Sequence, residues 1–145
     1  TVAHQKFFFF DAGVYRTIRP KGPLDTGPDI DGASLETLVL QELRALNHYH
    51  ALGYEFFFWR TRGGQEVDLV LYGPLGVIAI EVKRGSRLAG KALKGLQAFL
   101  HEYPMARAYL LTNNERDGWE GNIRVMSIDA LLRNATNELT GQRSQ

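Results

Sequence analysis

Two neighbouring segments of the sequence carry the residues best suited to chemistry. Asp68 lies in the alternating segment QEVDLVLY at 65–72, and Glu81 and Lys83 lie in GVIAIEVK at 76–83. The residues GPLG at 73–76 join the two segments and predict a turn, because glycine and proline favour turn conformations. We therefore predict an antiparallel β-hairpin.

The length of this turn fixes which residues face each other. With a four-residue loop, Asp68 lies opposite Glu81, and Glu66 lies opposite Lys83. Side chains alternate along a strand, so all four are expected on one sheet face, with opposed Cβ atoms about 4.5 to 5.5 Å apart. Two facing carboxylates repel each other, which predicts a positive charge between them. The alternative is a solvent-exposed hairpin face in which Glu66 and Lys83 form an ion pair.

A divalent cation fits this position. Mg²⁺ binds carboxylate and water oxygens and keeps coordination positions open for a substrate phosphate. Lys83 would bring an ammonium group to the same face, where it could orient or deprotonate an attacking water or stabilise the phosphoryl oxygens. This combination predicts phosphodiester hydrolysis with Mg²⁺ or Mn²⁺ as the cofactor.

A third carboxylate is expected from a helix predicted at 33–51. On a wheel of about 100° per residue, Glu36 falls in the apolar stripe, one turn after the predicted N-cap Asp31. Glu42 also falls in the stripe but about 240° away, so the two cannot serve one site. A carboxylate on the core side is costly unless it is paired or metal-bound. Spacing alone leaves the choice between Glu36 and Glu42 open.

Hydrophobic periodicity and turn residues predict the other elements. We expect strands at KFFFF, 54–60, 65–72, 76–83, 106–112 and 122–128, a second helix at about 90–103, and a helical turn at DALLRN. Proline and glycine predict an irregular loop at 19–32. The predicted domains are an N-terminal strand and loop at 1–30, a core domain at 31–134 and a polar tail at 135–145.

Composition limits the function classes. The chain has 145 residues, of which 44% are hydrophobic and 23% are charged, and it has no cysteine. One globular domain is therefore expected, and thiolate metal sites are excluded. No apolar segment is long enough to cross a bilayer and no signal peptide is visible, so we expect a cytoplasmic protein without a membrane partner. Because the chain opens with Thr1 and enters a strand almost at once, we expect a fragment of a longer polypeptide.

Positive charge is concentrated around the predicted site, although the formal net charge is only +1. Seven basic residues and three acids lie between Arg60 and Lys94. Basic residues beside a phosphodiester-cleaving site favour contacts with the DNA backbone. The residues assigned to this role are Arg62, Arg84, Arg87, Lys91 and Lys94.

The segment GSRLAGKA at 85–92 permits a second interpretation. It has the glycine and lysine spacing of a nucleotide-binding P-loop and lies between a strand and a helix. Its last position is Ala92, so the hydroxyl that binds Mg²⁺ is missing, and no later strand ends in a suitable acid. We interpret this segment as a basic loop beside the site.

The element order and the motifs resemble a known superfamily. A helix, three strands with Asp68 on the second and Glu81-x-Lys83 on the third, a helix and a strand resemble the PD-(D/E)xK nucleases. A closer resemblance is to the uncharacterised C-terminal domain appended to many prokaryotic AAA-type ATPases, and it covers about residues 6–132. The segments that carry it are FFDAG at 9–13, GASLETLVLQEL at 32–43, FFWRTRGGQEVDLVL at 57–71 and IAIEVKRG at 78–85.

The resemblance implies an α/β, restriction-endonuclease-like core with a central mixed sheet flanked by helices, and an upstream ATPase module. Its pattern of Gly followed four positions later by Glu matches Gly32 and Glu36, and so favours Glu36 over Glu42. The implied site residues are Glu36, Asp68, Glu81 and Lys83, with three acids and the Val82 carbonyl as metal ligands.

Competing functional hypotheses follow. The first is a divalent-metal-dependent DNA endonuclease domain within a longer AAA-type ATPase protein. The second is a catalytically inactive module that keeps the fold and binds DNA or regulates the attached ATPase. A third is an assembly domain that forms an oligomer through its Phe-rich start or a sheet edge.

Overall fold

A computed structural model describes the backbone of residues 6–9, 27–84 and 89–142, and the side chains of 35–84 and 90–142. The strands in these ranges are β1 (Lys6–Phe9), β2 (Glu55–Arg60), β3 (Glu66–Gly73), β4 (Gly76–Lys83), β5 (Arg107–Thr112), β6 (Gly118–Glu120) and β7 (Ile123–Ser127). The helices are α1 (Gly27–Tyr49), α2 (Ala89–Glu102), α3 (Ile128–Arg133) and α4 (Ala135–Thr140). None of these helices is long and apolar enough to cross a membrane.

The strands form one mixed sheet in the order β1-β2-β3-β4-β5-β7-β6. The first four strands are an antiparallel meander. β5 then pairs parallel to β4, which requires a crossover, and α2 supplies it. β7 pairs parallel to β5, and β6 pairs antiparallel to β7. The fold is therefore mixed α/β, as predicted.

Helices cover both faces of the sheet, which explains the continuous apolar character of the central strands. On one face α1, α3 and α4 pack against side chains that include Leu71, Ile78, Ile80 and Leu111. On the other face α2 packs its Leu96 and Phe99 against side chains that include Val70, Ala79 and Leu110. β2 contributes to both layers, with Phe56 on the α1 face and Trp59 on the α2 face.

The β3–β4 hairpin has the predicted register. Tyr72 pairs with Val77, and regular pairing continues to Leu69 and Ile80. We call the end of the sheet that carries this turn the hairpin end. The opposite end, where β3 begins and β4 ends, is called the site end below.

Helix α1 begins earlier than predicted. It starts at Gly27 instead of residue 33, so Asp31 lies within the helix and is not its N-cap. Pro28 suits the first helical turn, because its missing N–H has no partner there in any case. Of the irregular loop predicted at 19–32, residues 27–32 are helical, and 19–26 lie outside the described residues.

The segment predicted as a polar tail folds onto the domain. Its residues 135–140 form α4, whose Leu139 is only 1% exposed. Arg107 donates hydrogen bonds to the backbone carbonyls of Glu138 and Leu139, and the Tyr54 hydroxyl also donates to the Leu139 carbonyl. Only two residues of this helix are buried, so its hydrophobic pattern is too sparse to recognise. The three-residue strand β6 was missed for a similar reason.

Candidate functional site

The site lies where β3 and β4 separate at the site end of the sheet. Between Val67 and Val70 the pairing of β3 with β2 shifts by one residue, so Asp68 and Leu69 together oppose Phe58. Such a bulge locally disrupts the ladder and re-aims nearby groups. The regular pairing of β3 with β4 ends at Leu69–Ile80, whereas on its other edge β4 stays paired with β5 as far as Lys83. The two strands therefore fork next to Asp68.

The fork frees the Asp68 amide for a side-chain partner. The Asp68 N–H donates a hydrogen bond of 2.7 Å to Oε1 of Glu81. Glu81 is only 2% exposed, and its second oxygen, Oε2, lies 3.7 Å from Nζ of Lys83. The Lys83 side chain is 27% exposed, so the ammonium is the more accessible member of the pair. The structure thus brings Asp68, Glu81 and Lys83 together as the hairpin register predicted.

The electrostatics of Glu81 are unfavourable for a charged group. Burial raises the pKa of Glu81 most, and the negative charge of Asp68 raises it further. Lys83 and the hydrogen bond from the Asp68 amide lower the pKa, and Glu36 adds a smaller increase. Together these effects leave the pKa of Glu81 at about 9. Because these opposing effects do not balance, the Glu81 carboxyl is protonated at neutral pH when no cation is bound.

Helix α1 brings Glu36 towards this group. Val39 and Leu43 of α1 are fully buried against the sheet, which fixes the rotation of the helix. Glu36 is half-buried one turn before Val39 and is near enough to affect the ionisation of Glu81. Glu42 is exposed, which corrects its predicted place in the apolar stripe. The structure therefore agrees with the choice of Glu36 over Glu42.

Glu66 does not join the group, so the prediction that it faces Lys83 is wrong. Glu66 pairs with Arg60 of β2, and its Oε2 lies 3.1 Å from Nη2 of that residue. The regular β3–β4 pairing ends at Leu69–Ile80, before this point, so it does not place Glu66 opposite Lys83. The Glu66–Lys83 ion pair of the alternative interpretation is likewise not formed.

The carboxylates offer a partial metal site. Among the described side chains, no three Asp, Glu, His or Cys residues are arranged to hold a metal ion, so the predicted three-acid ligand set is not assembled there. Asp68 and Glu81 remain as a two-carboxylate pair, with Val82 between Glu81 and Lys83 on β4. Mg²⁺ is commonly held by one or two carboxylates plus water and substrate phosphate. A buried acid beside two others is also the environment that a cation would stabilise, so the pair fits a divalent ion.

The basic residues surround the site end. Arg62, Arg84, Lys91 and Lys94 are exposed. α2 crosses the start of β3 so closely that a Cβ on Gly95 would lie 2.3 Å from the Glu66 carbonyl oxygen. This crossing brings the first turns of α2, with Lys91 and Lys94, to the site end. Residues 85–88, which include Arg87 and the first half of the P-loop-like segment, lie outside the described residues.

Two residues near the site were missed by the sequence reasoning. Thr112 is 5% exposed and pairs with Lys83, and its hydroxyl donates to the Asn114 carbonyl. The sequence predicted no specific contact for Arg60, which was only one of the seven basic residues between 60 and 94. In the structure Arg60 forms an ion pair with Glu66 at the site end. The sequence did contain a signal for Thr112, because it is a polar residue directly after the apolar residues AYLL of a predicted strand.

Comparison with known proteins gives a family. The search of curated proteins gives no match. A family model described as a domain of unknown function, DUF4143, matches residues 31–131. The matched region includes the described site residues Glu36, Asp68, Glu81 and Lys83, and it ends before α4. Because the match covers most of the chain, this protein belongs to the DUF4143 family.

Proposed function

We propose that this chain is a Mg²⁺- or Mn²⁺-dependent nuclease domain that hydrolyses DNA phosphodiesters. The proposal includes a restriction-endonuclease-like core of the PD-(D/E)xK type. It is supported by the succession of α1, the β2–β3–β4 meander, α2 and the parallel strand β5. Asp68 and the Glu81-x-Lys83 motif at the fork of this sheet support it further.

The observation that carries the proposal is the burial of Glu81 beside Asp68. Glu81 is one of two polar residues classed as buried among the described side chains, and its nearest charged neighbours include another acid. A purely structural hairpin would avoid this arrangement, because like charges close together are destabilising. If the two acids bind a cation, the cation compensates their charge, and this function explains why the unfavourable arrangement is kept.

Each residue has a defined role in this proposal. Asp68 and Glu81 hold the divalent ion together with the Val82 carbonyl, and Glu36 adds negative charge on the side of α1. When bound, the ion polarises a phosphoryl oxygen and lowers the pKa of a coordinated water. Lys83 orients the water and stabilises the charge that grows on the phosphoryl oxygens. Arg62, Arg84, Arg87, Lys91 and Lys94 contact the DNA backbone.

Hydrolysis then proceeds by a direct displacement. The water oxygen forms a bond to phosphorus while the bond between phosphorus and the leaving sugar oxygen breaks. The water loses a proton, and the leaving oxygen gains one. Two carboxylates and one ammonium at the fork provide the charges that such a step needs.

A cleavage assay with a labelled DNA duplex tests the proposal. The wild-type chain should cleave in Mn²⁺ and lose activity in excess chelator, and Asp68→Asn should reduce the rate at least about 100-fold. Asp129→Asn is the matched control, because Asp129 is exposed on α3 and paired with Arg133. Asp68→Asn cleaving at the rate of Asp129→Asn would refute a catalytic site at the fork.

A second candidate is a catalytically inactive module that binds DNA or regulates an attached AAA-type ATPase. The absence of a three-acid group among the described side chains favours it, as does the use of one Glu81 oxygen by the Asp68 amide. The ATPase partner is suggested by the sequence resemblance. This candidate predicts no cleavage with any divalent ion and DNA binding that is equal with and without metal.

A further inference from the structure

The two flanks of the fork differ in charge. On one flank β3, β2 and β1 follow β4, and on the other β5, β7 and β6 follow it. At the site end the first flank carries three basic residues, Arg60, Arg62 and Lys6 of β1, which is in register with Arg60. Against them stand two acids of β3, Glu66 and Asp68. At this end the second flank carries Glu115, Arg116 and Asp117 in the loop that follows β5. Glu120 and Arg124 lie further towards the hairpin end, where Arg124 is in register with Tyr109. We call these the basic flank and the acidic flank.

Arg60 is the most prominent cation of the basic flank. It ends β2, and its side chain is 61% exposed. Its described partner is the Glu66 carboxylate, whose side chain is 39% exposed. Exposed pairs of this kind contribute about 0 to 1 kcal/mol, so the guanidinium can exchange Glu66 for another anion at low cost. Arg62 is exposed two residues further on.

The arginines of the acidic flank are outnumbered by acids. Arg116 lies 2.9 Å from the Glu120 carboxylate in a pair about as exposed as Arg60–Glu66, so the surrounding acids and not the strength of this pair distinguish Arg116 from Arg60. Arg124 pairs with Asp117 and donates a 2.9 Å hydrogen bond to the Gly118 carbonyl. Its guanidinium also lies over the Trp119 ring. With a third acid, Glu115, nearby, this flank offers a phosphate backbone no excess of positive charge.

We infer that the DNA strand leaves the fork over the basic flank and that Arg60 is a further phosphate contact. This inference rests on the proposed function for its substrate. β2 is two strands away from β4, a distance of about 10 Å. A DNA strand places one phosphate in each 3.4 Å or so of helix axis, so Arg60 meets the backbone about three phosphates from the fork.

Glu66 has a defined effect in this arrangement. Its carboxylate competes with the DNA phosphate for Arg60 and adds a negative charge to the path. Removing the acid therefore strengthens DNA binding, whereas removing Arg60 weakens it. If the Arg60–Glu66 pair served only to hold β2 and β3 together, both substitutions would change binding in the same direction.

Salt-dependent DNA binding tests the inference. The affinity of the full chain for a labelled duplex is measured by fluorescence anisotropy between 0.1 and 1 M salt, with Ca²⁺ in place of Mn²⁺. Arg60→Gln should lower the slope of log K against log salt by about 0.9, a loss of about eightfold at 0.1 M that vanishes at 1 M. Glu66→Gln should raise affinity by up to about fivefold. Arg116→Gln is the control on the acidic flank and should leave the slope unchanged.

The outcomes distinguish the proposed DNA path over the basic flank from the proposed nuclease activity. Opposite signs for the two variants support the path even when the cleavage assay shows no hydrolysis. Cleavage by the wild-type chain combined with an unchanged slope for Arg60→Gln overturns the path and leaves the nuclease proposal intact. A larger effect of Arg116→Gln, or no DNA binding by the wild-type chain, also overturns it.

Discussion

The two ends of the central sheet bury polar groups in opposite ways. Towards the hairpin end, burial raises the pKa of Tyr109, so its hydroxyl stays protonated and donates a 2.6 Å hydrogen bond to Glu138. Arg107 and Tyr54 complete this network with bonds to the carbonyls of α4. At the site end, Glu81 is buried against Asp68 and is only partly compensated by Lys83.

The difference shows that one sheet can hold both a fully paired polar network and a buried acid whose charge is not compensated. A buried polar group that finds its partners stabilises a unique arrangement, whereas one that lacks compensation costs stability. Proteins keep an uncompensated buried polar group at positions where a ligand supplies the missing partner. We therefore expect substitutions at the hairpin end to destabilise the protein and substitutions at the site end to stabilise it while removing function.

The largest expected effect is at α4. Leu139→Ala removes a side chain that is 1% exposed and should lower the free energy of unfolding by about 3 kcal/mol. Urea denaturation measures the change. Leu75→Ala is the matched control, because Leu75 is 44% exposed and should change stability by less than about 0.5 kcal/mol. Equal midpoints for the two variants would show that α4 is not part of the folded core.

Glu81→Gln should have the opposite sign in metal-free buffer. Above pH 4.5 the unfolded chain ionises Glu81, but the folded chain keeps it protonated up to about pH 9. The folded state thus binds more protons in this window, so wild-type stability falls as pH rises through it. Glutamine does not titrate, so the stability advantage of the variant over the wild type should grow by up to about 1.4 kcal/mol per pH unit between pH 4.5 and about 9. A stability difference that stays constant from pH 4 to 9 would contradict the raised pKa.

Divalent metal should reverse that penalty. At free Mn²⁺ ten times its dissociation constant, a single site stabilises the folded state by about 1.4 kcal/mol. Thermal denaturation at pH 7.5 should show the increase for the wild-type chain and for Asp129→Asn. Asp68→Asn should show little of it. The same Mn²⁺ response in both variants would place metal binding away from the fork.

The smallest expected effect concerns a single hydrogen bond. Tyr109→Phe removes the donor to Glu138 and should cost about 1 kcal/mol. Tyr72→Phe is the control, since Tyr72 is 56% exposed. If both variants have wild-type stability, the network at the hairpin end contributes less than its geometry indicates.

The core elements could be predicted because local patterns and tertiary packing agree there. The turn predicted at 73–76 sets a register that the structure confirms from Tyr72–Val77 to Leu69–Ile80, although Gly73 and Gly76 also pair and leave a loop of two residues, Pro74 and Leu75. Apolar periodicity located α2, β4 and β5 to within one residue. The juxtaposition of Asp68 and Glu81 followed directly from that register.

The errors occur where neighbouring strands decide the outcome. A bulge between β2 and β3 brings Glu66 into register with Arg60, and the regular β3–β4 pairing that would have placed Glu66 opposite Lys83 ends at Leu69–Ile80. Only two of the six residues of α4 are buried, which is too few for a recognisable helical pattern. The position of α4 depends on hydrogen bonds that Arg107 and Tyr54 donate to its backbone carbonyls. Such long-range partners have no local signature in the sequence.

The sequence by itself determined the hairpin register, the α/β class and the types of residue at the fork. Those features depend on turn geometry and on side-chain periodicity, which are local properties of the chain. Only the tertiary structure decided that Glu81 is buried, that Glu36 and not Glu42 acts on it, and that Glu66 belongs to Arg60. Burial and charge pairing depend on which strands and helices surround a residue, and packing sets that environment.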